Sequence, residues 1–260
     1  MTGPLLSLDR VSKRFGQVVI ADDLSLSVGP GDTVGIVGPN GAGKTSLFGL
    51  ISGNLAPDAG QISFAGRRIT KLDSAARCKL GIGRTYQVPR PFTDMTVYEN
   101  LLVAAQQGAG LRRRASYLAA AQALDQAGMS EQANLPAGRL GLLQRKRLEL
   151  ARALASRPQL LLLDEVAGGL TDPEVAQLVE IVRAVNAEGI AVIWIEHVVR
   201  ALTAVVSRLL CLTGGAFIGD GTPAEVLATP AVREVFLGSD VTASLAGGTL
   251  DEGLIGEDTP

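Results

Sequence analysis

The stretch that decides the fold is Gly38-Pro39-Asn40-Gly41-Ala42-Gly43-Lys44-Thr45, followed by Ser46. It fits the Walker A pattern G-x-x-x-x-G-K-[ST], in which glycines let consecutive backbone N–H groups turn toward an anion. The lysine of this pattern reaches the β- and γ-phosphates, and the hydroxyl of the next residue ligates Mg²⁺. A Gly-rich turn could match by chance, but residues 33–37 predict a buried strand before it and residues 46–51 a helix after it. We therefore predict that residues 38–46 bind a nucleoside triphosphate.

Composition places bounds on where the chain works and on its partners. The 260 residues suffice for a sizeable core, and a formal net charge of -2 gives no electrostatic reason to expect a nucleic-acid partner. Cys78 and Cys211 fit no metal-binding spacing. The start of the chain lacks the basic and apolar regions of a signal peptide, and apolar runs such as 160–163 are too short to span a bilayer. We expect a soluble, cytoplasmic protein whose membrane role, if any, depends on a partner.

Hydrophobic periodicity divides the chain between residues 5 and 219 into three regions. Residues 5–11 and 18–28 predict antiparallel strands, and residues 61–64 and 67–69 predict a hairpin. A helical pattern then runs from about 91 to 155, and its helices are predicted at 97–107, 113–127 and 144–156. Alternating strands and helices follow, and they are predicted at 160–163, 173–187, 190–195, 198–206, 208–213 and 216–219. Asp172-Pro173 predicts a helix cap followed by proline at the first helical position.

The last part of the chain has a different composition. Apolar periodicity stops after Leu237, and residues 238–260 are rich in Gly, Asp, Glu and Thr. Such a segment has too little apolar surface to form a core. We predict that residues 238–260 are an acidic, mobile tail.

Three ionisable residues follow two of the predicted strands. Asp164-Glu165 ends the apolar run 160–163, and His197, the one histidine of the chain, follows the next strand. In a P-loop site Asp164 would hold the Mg²⁺ shell and Glu165 would polarise the attacking water. The alternatives are two carboxylates that only end a strand, and a histidine that only caps or covers a surface. The preceding phosphate loop favours the catalytic interpretation.

In their order and spacing these residues resemble the nucleotide-binding subunits of ATP-binding cassette (ABC) transporters, from about residue 5 to 237. The resemblance implies an α/β fold, a P-loop NTPase of ABC ATPase type with an antiparallel β-subdomain and a helical subdomain near 91–155. Residues 1–237 would then form one nucleotide-binding domain. The implied activity is ATP hydrolysis coupled to solute transport, with ATP and Mg²⁺ in the site and Glu165 and His197 as the catalytic residues.

The resemblance also assigns further residues to the site. Gln87 resembles the Q-loop glutamine that senses Mg²⁺, so the implied metal ligands are Thr45, Gln87 and Asp164. Phe15 resembles the aromatic that stacks on adenine, although tyrosine is commoner there and an ordinary core aromatic is the alternative. His197 resembles the switch histidine at the γ-phosphate. Residues 89–99 would face the permease, with Phe92 and Met95 either in that contact or in the core of the helical subdomain.

Finer phrases resemble one subfamily. Residues 81–87, 95–100, 196–199 and 230–238 look like those of importers of branched-chain and other hydrophobic amino acids. This implies transmembrane permease subunits, a second ABC ATPase subunit and, indirectly, a solute-binding protein, with the chain peripheral on the inner face of the membrane. Importers of urea, amides or aromatic solutes, lipid transporters and non-transport ABC regulatory proteins stay open as alternatives.

One stretch departs from the family pattern. The signature loop of the family reads L-S-G-G-Q, and here it reads Leu140-Gly141-Leu142-Leu143-Gln144. Gly141 lacks the hydroxyl that would bond the γ-phosphate, and Leu143 places a branched side chain where glycine allows backbone contact. Importers of this subfamily pair two different ATPase subunits, so we expect a heterodimer in which only one site contains the altered loop.

Overall fold

The computed structural model of the protein describes residues 3–237, and the predicted tail at 238–260 lies outside them. In chain order its strands are β1 (Leu6–Phe15), β2 (Val18–Val28), β3 (Thr33–Val37), β4 (Ala59–Phe64), β5 (Arg67–Arg68), β6 (Ile82–Arg84), β7 (Leu160–Asp164), β8 (Ala191–Ile195), β9 (Arg208–Thr213) and β10 (Ala216–Gly221). Its helices are α1 (Lys44–Ser52), α2 (Ser74–Lys79), α3 (Val97–Val103), α4 (Arg114–Gln126), α5 (Leu142–Ala155), α6 (Asp172–Ala187), α7 (Val199–Thr203), α8 (Pro223–Ala228) and α9 (Pro230–Leu237).

A six-stranded sheet in the order β10-β9-β3-β8-β7-β6 carries the phosphate loop. Neighbouring strands from β6 to β9 are parallel, and β10 pairs antiparallel with β9. Ile195 in β8 pairs with Ile36 in β3 on one side and with Asp164 in β7 on the other. Because parallel strands end at the same edge, the segments after β3, β7 and β8 begin side by side. This edge is where ligands bind in open α/β sheets.

Both faces of this sheet are covered, which explains why its inner strands read as continuous apolar runs. Every residue of β3, β7 and β8 is buried. Leu161 and Leu163 face a core shared with α4, α5 and α6, whereas Leu160 and Leu162 face a core shared with α1 and the N-terminal strands. This alternation between two cores is the period-2 geometry of a strand.

The N-terminal strands form a separate antiparallel sheet in the order β2-β1-β4-β5. Strand β1 continues to Phe15, beyond the predicted end at Val11, and its pairing with β2 shifts register between Leu8 and Val11 and again after it. Arg10 in this stretch has a φ of 49°. Such irregularities break the alternation of side chains that the sequence pattern relies on, so the second half of the strand escaped prediction.

Between β6 and β7 the chain forms α3, α4 and α5, as the helical pattern predicted. A π-helical turn at Ala104–Gly108 extends α3. These helices pack against one another around Leu101, Ala123 and Leu148, all of which are buried. Within residues 3–237, no helix combines the length and apolar character needed to cross a bilayer.

Candidate active site

The phosphate loop turns sharply between β3 and α1, and two of its glycines are structurally required. Gly38 has a φ of 152°, and a Cβ there would lie 2.0 Å from the carbonyl oxygen of Leu212. Gly43 has a φ of 99°, and a Cβ there would lie 2.5 Å from the carbonyl oxygen of Ile20. Helix α1 begins at Lys44 without a side-chain cap, so its first N–H groups are available to an anion.

Lys44 lies within this loop. Its ammonium donates to the carbonyl oxygens of Gly38 at 2.7 Å and Pro39 at 2.9 Å, and the side chain is buried. An ammonium has three donors, so one N–H is left for a phosphate oxygen. Burial lowers the pKa of Lys44, while the nearby carboxylates of Glu165 and Asp164 raise it. A cavity of about 330 Å³ in front of the loop is lined by Ile20, residues 40–46, Gln87 and Glu165.

Asp164 ends β7 and is held by an arginine that the sequence did not single out. Its Oδ2 accepts a hydrogen bond of 2.9 Å from Arg84 Nη2, and both side chains are nearly inaccessible. Arg84 also donates to Ser52 Oγ at 3.1 Å. Burial raises the pKa of Asp164, and the guanidinium of Arg84 opposes that rise. The other oxygen, Oδ1, is buried without a hydrogen-bond partner in the structure.

The three predicted metal ligands lie around one space. Thr45, Gln87 and Asp164 line a single cavity of about 540 Å³. A carboxylate oxygen, a hydroxyl and an amide oxygen are hard donors of the kind Mg²⁺ takes, and Oδ1 of Asp164 offers an unused acceptor. The residues therefore fit Mg²⁺. Within residues 3–237 no group of three or more His, Cys, Asp or Glu residues could hold another metal ion.

Glu165 lies between the other two predicted functional side chains. Its Oε1 is 2.9 Å from Nε2 of His197, and its Oε2 accepts a 2.5 Å hydrogen bond from Nε2 of Gln87. Its backbone φ of 48° is rare for a non-glycine residue, and such conformations cluster at functional sites. The structure thus brings together three residues that are far apart in sequence.

A second carboxylate, that of Glu196, bonds the backbone near Glu165 and His197. Glu196 is buried and accepts hydrogen bonds from the backbone N–H groups of Ala167 at 2.6 Å and His197 at 3.2 Å. Burial raises its pKa. In the sequence, Glu196 stood out only as a member of the subfamily phrase 196–199. The one signal that could have identified it as part of the site is its position next to His197. Glu196 connects the segment after β7 to the segment after β8.

Phe15 does not line the cavity in front of the phosphate loop. Phe15 ends β1, is 54% exposed and is absent from the residues that line the 330 Å³ cavity; the ammonium of Lys13 lies 5.4 Å from its ring centre. Stacking on adenine stays a prediction.

At the start of α5, Gln144 Oε1 accepts a hydrogen bond from Gly141 N at 3.1 Å, and Leu142 is 49% exposed. The N–H of the residue that precedes the signature helix is therefore occupied within the chain.

Exposed apolar side chains cluster beside Gln87. Tyr86, Val88 and Phe92 are 47%, 65% and 46% exposed, so Phe92 is at the surface rather than in a core. The guanidinium of Arg152 lies 5.4 Å from the ring centre of Phe92. Met95 is half-buried. This surface adjoins the cavity that contains the candidate metal ligands.

Comparison with known proteins agrees with this geometry. A family model described as ABC transporter matches residues 21–168. The high-affinity branched-chain amino acid transport ATP-binding proteins LivG of Escherichia coli and BraF of Pseudomonas aeruginosa are each 33% identical over 92% of this chain and 99% of their own length. The lipopolysaccharide export system ATP-binding protein LptB of Acidithiobacillus ferridurans is 33% identical over 90% of this chain and 97% of its own.

Solved structures show the same likeness. A nucleotide-free ATP-binding cassette from an ABC transporter superposes with a TM-score of 0.83 at 29% identity, covering 91% of this chain and 99% of that one. An ATP-binding cassette in its ADP conformation superposes with a TM-score of 0.81 at 29% identity, covering 92% and 99%.

Proposed function

The chain belongs to the ABC transporter family and is an ATPase subunit of that family, and on this premise we propose that it energises the import of branched-chain or other hydrophobic amino acids. The observation that carries the hydrolytic part is Glu165, whose carboxylate lies between Gln87 and His197 in front of the phosphate loop. The import of amino acids is supported by the LivG and BraF relatives, which match over 99% of their own length.

The phosphates of ATP would occupy the cavity in front of the loop. The N–H groups at the start of α1 and the ammonium of Lys44 would bind the β- and γ-phosphates. Lys44 keeps its bonds to Gly38 and Pro39, so it is already oriented before the nucleotide arrives. Phe15 would stack on the adenine ring at the exposed end of β1.

Thr45, Gln87 and Asp164 would hold Mg²⁺. When bound, Mg²⁺ neutralises charge on the β- and γ-phosphate oxygens. Arg84 holds Oδ2 of Asp164, which leaves Oδ1 for the metal. Gln87 donates its amide N–H to Glu165 and would therefore present its amide oxygen to the metal.

Glu165 would orient and polarise the water that attacks the γ-phosphate. A carboxylate is suited to accept the proton as the new P–O bond forms. His197 bonds the other oxygen of Glu165, in the tautomer that carries the proton on Nε2, and would contact the γ-phosphate. Glu196 keeps the backbone of His197 in place.

We propose a complex with permease subunits and a second, different ATPase subunit on the inner face of the membrane, and an indirect link to a solute-binding protein; we propose no nucleic-acid partner. Within it, residues 1–237 would act as one nucleotide-binding domain with a helical subdomain near 91–155. The signature loop of each subunit would complete the site of the other. Because Gly141 and Leu143 replace the serine and the second glycine of the family pattern, the site that uses this chain's loop would bind γ-phosphate poorly.

The test is transport in vesicles. The chain is co-purified with its permease and second ATPase subunit, the solute-binding protein is added on the opposite face of the membrane, and ATP-dependent uptake of leucine, urea and an aromatic acid is compared. Uptake of leucine or another hydrophobic amino acid supports the proposal. ATP-dependent extraction of lipopolysaccharide without amino-acid uptake would favour the function printed for the LptB relative instead.

A further inference from the structure

Lys146 is a buried cation whose bonds go to two main-chain carbonyl groups. It belongs to α5, one turn beyond the start of that helix, and only 4% of it is exposed. Its ammonium donates to the carbonyl oxygen of Gln87 at 3.1 Å and to that of Glu165 at 3.1 Å. A buried ammonium is costly unless its donors are hydrogen-bonded, so these two bonds hold the side chain of Lys146 in place.

The two residues that Lys146 holds are hydrogen-bonded to each other through their side chains. Gln87 Nε2 donates to Glu165 Oε2 at 2.5 Å. The ammonium therefore fastens the backbones of both residues of this pair. Glu165 also has a positive φ, which persists only where its surroundings impose it. The bond to its carbonyl oxygen is one such constraint.

Two carboxylates lie near the buried ammonium of Lys146. Burial lowers the pKa of the ammonium, and the carboxylates of Glu196 and Glu165 raise it. Glu196 is itself fixed by the backbone N–H groups of Ala167 and His197. Lys146 thus lies among the segments that follow β6, β7 and β8, while its own helix starts at the signature stretch.

We propose that Lys146 is a positioning residue for ATP hydrolysis, which acts by holding Gln87 and Glu165 at the distance at which Glu165 can orient the attacking water. The inference rests on the proposed roles of Gln87 and Glu165. Because Lys146 is one turn into α5, any displacement of that helix moves the ammonium and changes this distance. The residue therefore couples the signature helix of the chain to its own hydrolytic carboxylate.

The experiment compares Lys146→Met, Lys146→Arg and the control Lys79→Met, an exposed lysine of α2. Each full-length variant is assembled with a second ATPase subunit that cannot hydrolyse ATP, so that only this chain's site turns over. We measure kcat, KM, the Kd of a fluorescent ATP analogue and the unfolding midpoint. Methionine keeps most of the length and the apolar character of the lysine stem, and it removes the donors.

For Lys146→Met we expect kcat to fall on the order of 100-fold, the loss that a misplacement of about 1 Å in an active site can cause. The Kd of the ATP analogue should stay within about twofold, because the phosphate loop is untouched. Lys146→Arg should restore most of kcat, since a guanidinium also offers donors to two carbonyl oxygens. Lys79→Met should behave as wild type.

Two results would overturn the inference. The first is a wild-type kcat in Lys146→Met while Glu165→Gln, measured in parallel, is inactive. The second is a weaker binding of ATP and a lower unfolding midpoint in Lys146→Met that together account for the fall in kcat, with no recovery of kcat in Lys146→Arg. A lysine with a purely structural role would give this result. An active Glu165→Gln would instead refute the proposed role of Glu165 itself.

Discussion

The ion pair between Arg84 and Asp164 gives the sharpest stability prediction. Both side chains are almost inaccessible, at 9% and 2% exposure, and they meet at 2.9 Å. Arg84→Met keeps an apolar stem and removes the guanidinium, which lies 5.7 Å from the ring centre of Phe48. The carboxylate of Asp164, however, is left buried with neither oxygen bonded to the arginine.

Removing one partner of a buried ion pair costs about 3–5 kcal/mol, because the remaining charge stays desolvated. This is a large share of the roughly 5–15 kcal/mol by which a domain is stable. Burial already raises the pKa of Asp164, and Arg84 opposes the rise, so the variant raises it further. A carboxyl group whose pKa is higher in the folded state binds more protons there than in the unfolded chain. The free energy of unfolding therefore falls as the pH rises from 3.8 through the folded-state pKa, and the deficit of the variant shrinks toward acid pH.

The assay is urea unfolding followed by the fluorescence of Trp194, the one tryptophan of the chain, which is fully buried. Measurements at about pH 7.5 and about pH 5 compare Arg84→Met with Arg67→Met, an exposed arginine of β5 whose loss should cost within about 0.5 kcal/mol. The double variant Arg84→Met with Asp164→Asn should recover part of the loss, since no unpaired charge is left. Equal unfolding midpoints for the two arginine variants at both pH values would refute the reasoning.

Three further variants test the site and its partners. Lys44→Ala should weaken ATP binding by roughly 30-fold or more, because the phosphates lose a buried cation, and unchanged binding by titration calorimetry would contradict this. Phe92→Ala should lower ATP-driven uptake in vesicles while sparing the ATPase rate of the isolated chain. The control is Leu118→Ala, at a similarly exposed apolar residue of α4, which should change neither quantity. A loss of folding in Phe92→Ala would count against a docking role. Gly141→Ser with Leu143→Gly should raise the ATPase rate of the isolated chain about tenfold, since one hydrogen bond to a charged group contributes about 1.5–3 kcal/mol, and an unchanged rate would mean that the altered loop is harmless.

The parts of the fold that the sequence predicted are those governed by local rules. The strand at Thr33–Val37 and the strand at Arg208–Thr213 have the predicted bounds, because short, mostly apolar segments flanked by turn residues leave little choice. The helix predicted to start after an Asp172 cap begins instead after Thr171, whose hydroxyl and N–H both bond Glu174. Two cap candidates in succession cannot be separated without knowing which side chain reaches Glu174.

Residues of the candidate site could be proposed from the sequence where they belong to a contiguous motif, and could not where they act across the fold. Asp164 and Glu165 follow directly from a buried strand, and His197 from the next one. Arg84 and Lys146 carry no local signal, since Arg84 is 80 residues from Asp164 and Lys146 is 59 residues from Gln87. A cation that bonds a distant carbonyl or carboxylate can be found only once the strands are placed side by side.

Glu165→Gln in the assembled transporter tests the central claim most directly. The measurement follows phosphate release and leucine uptake by vesicles that contain the chain, its permease and a second ATPase subunit that cannot hydrolyse ATP, with the solute-binding protein on the opposite face of the membrane. The account predicts that the variant binds ATP with wild-type affinity and loses both phosphate release and uptake, since the attacking water loses its polarising carboxylate. Phosphate release and leucine uptake at wild-type rates in the variant would contradict it.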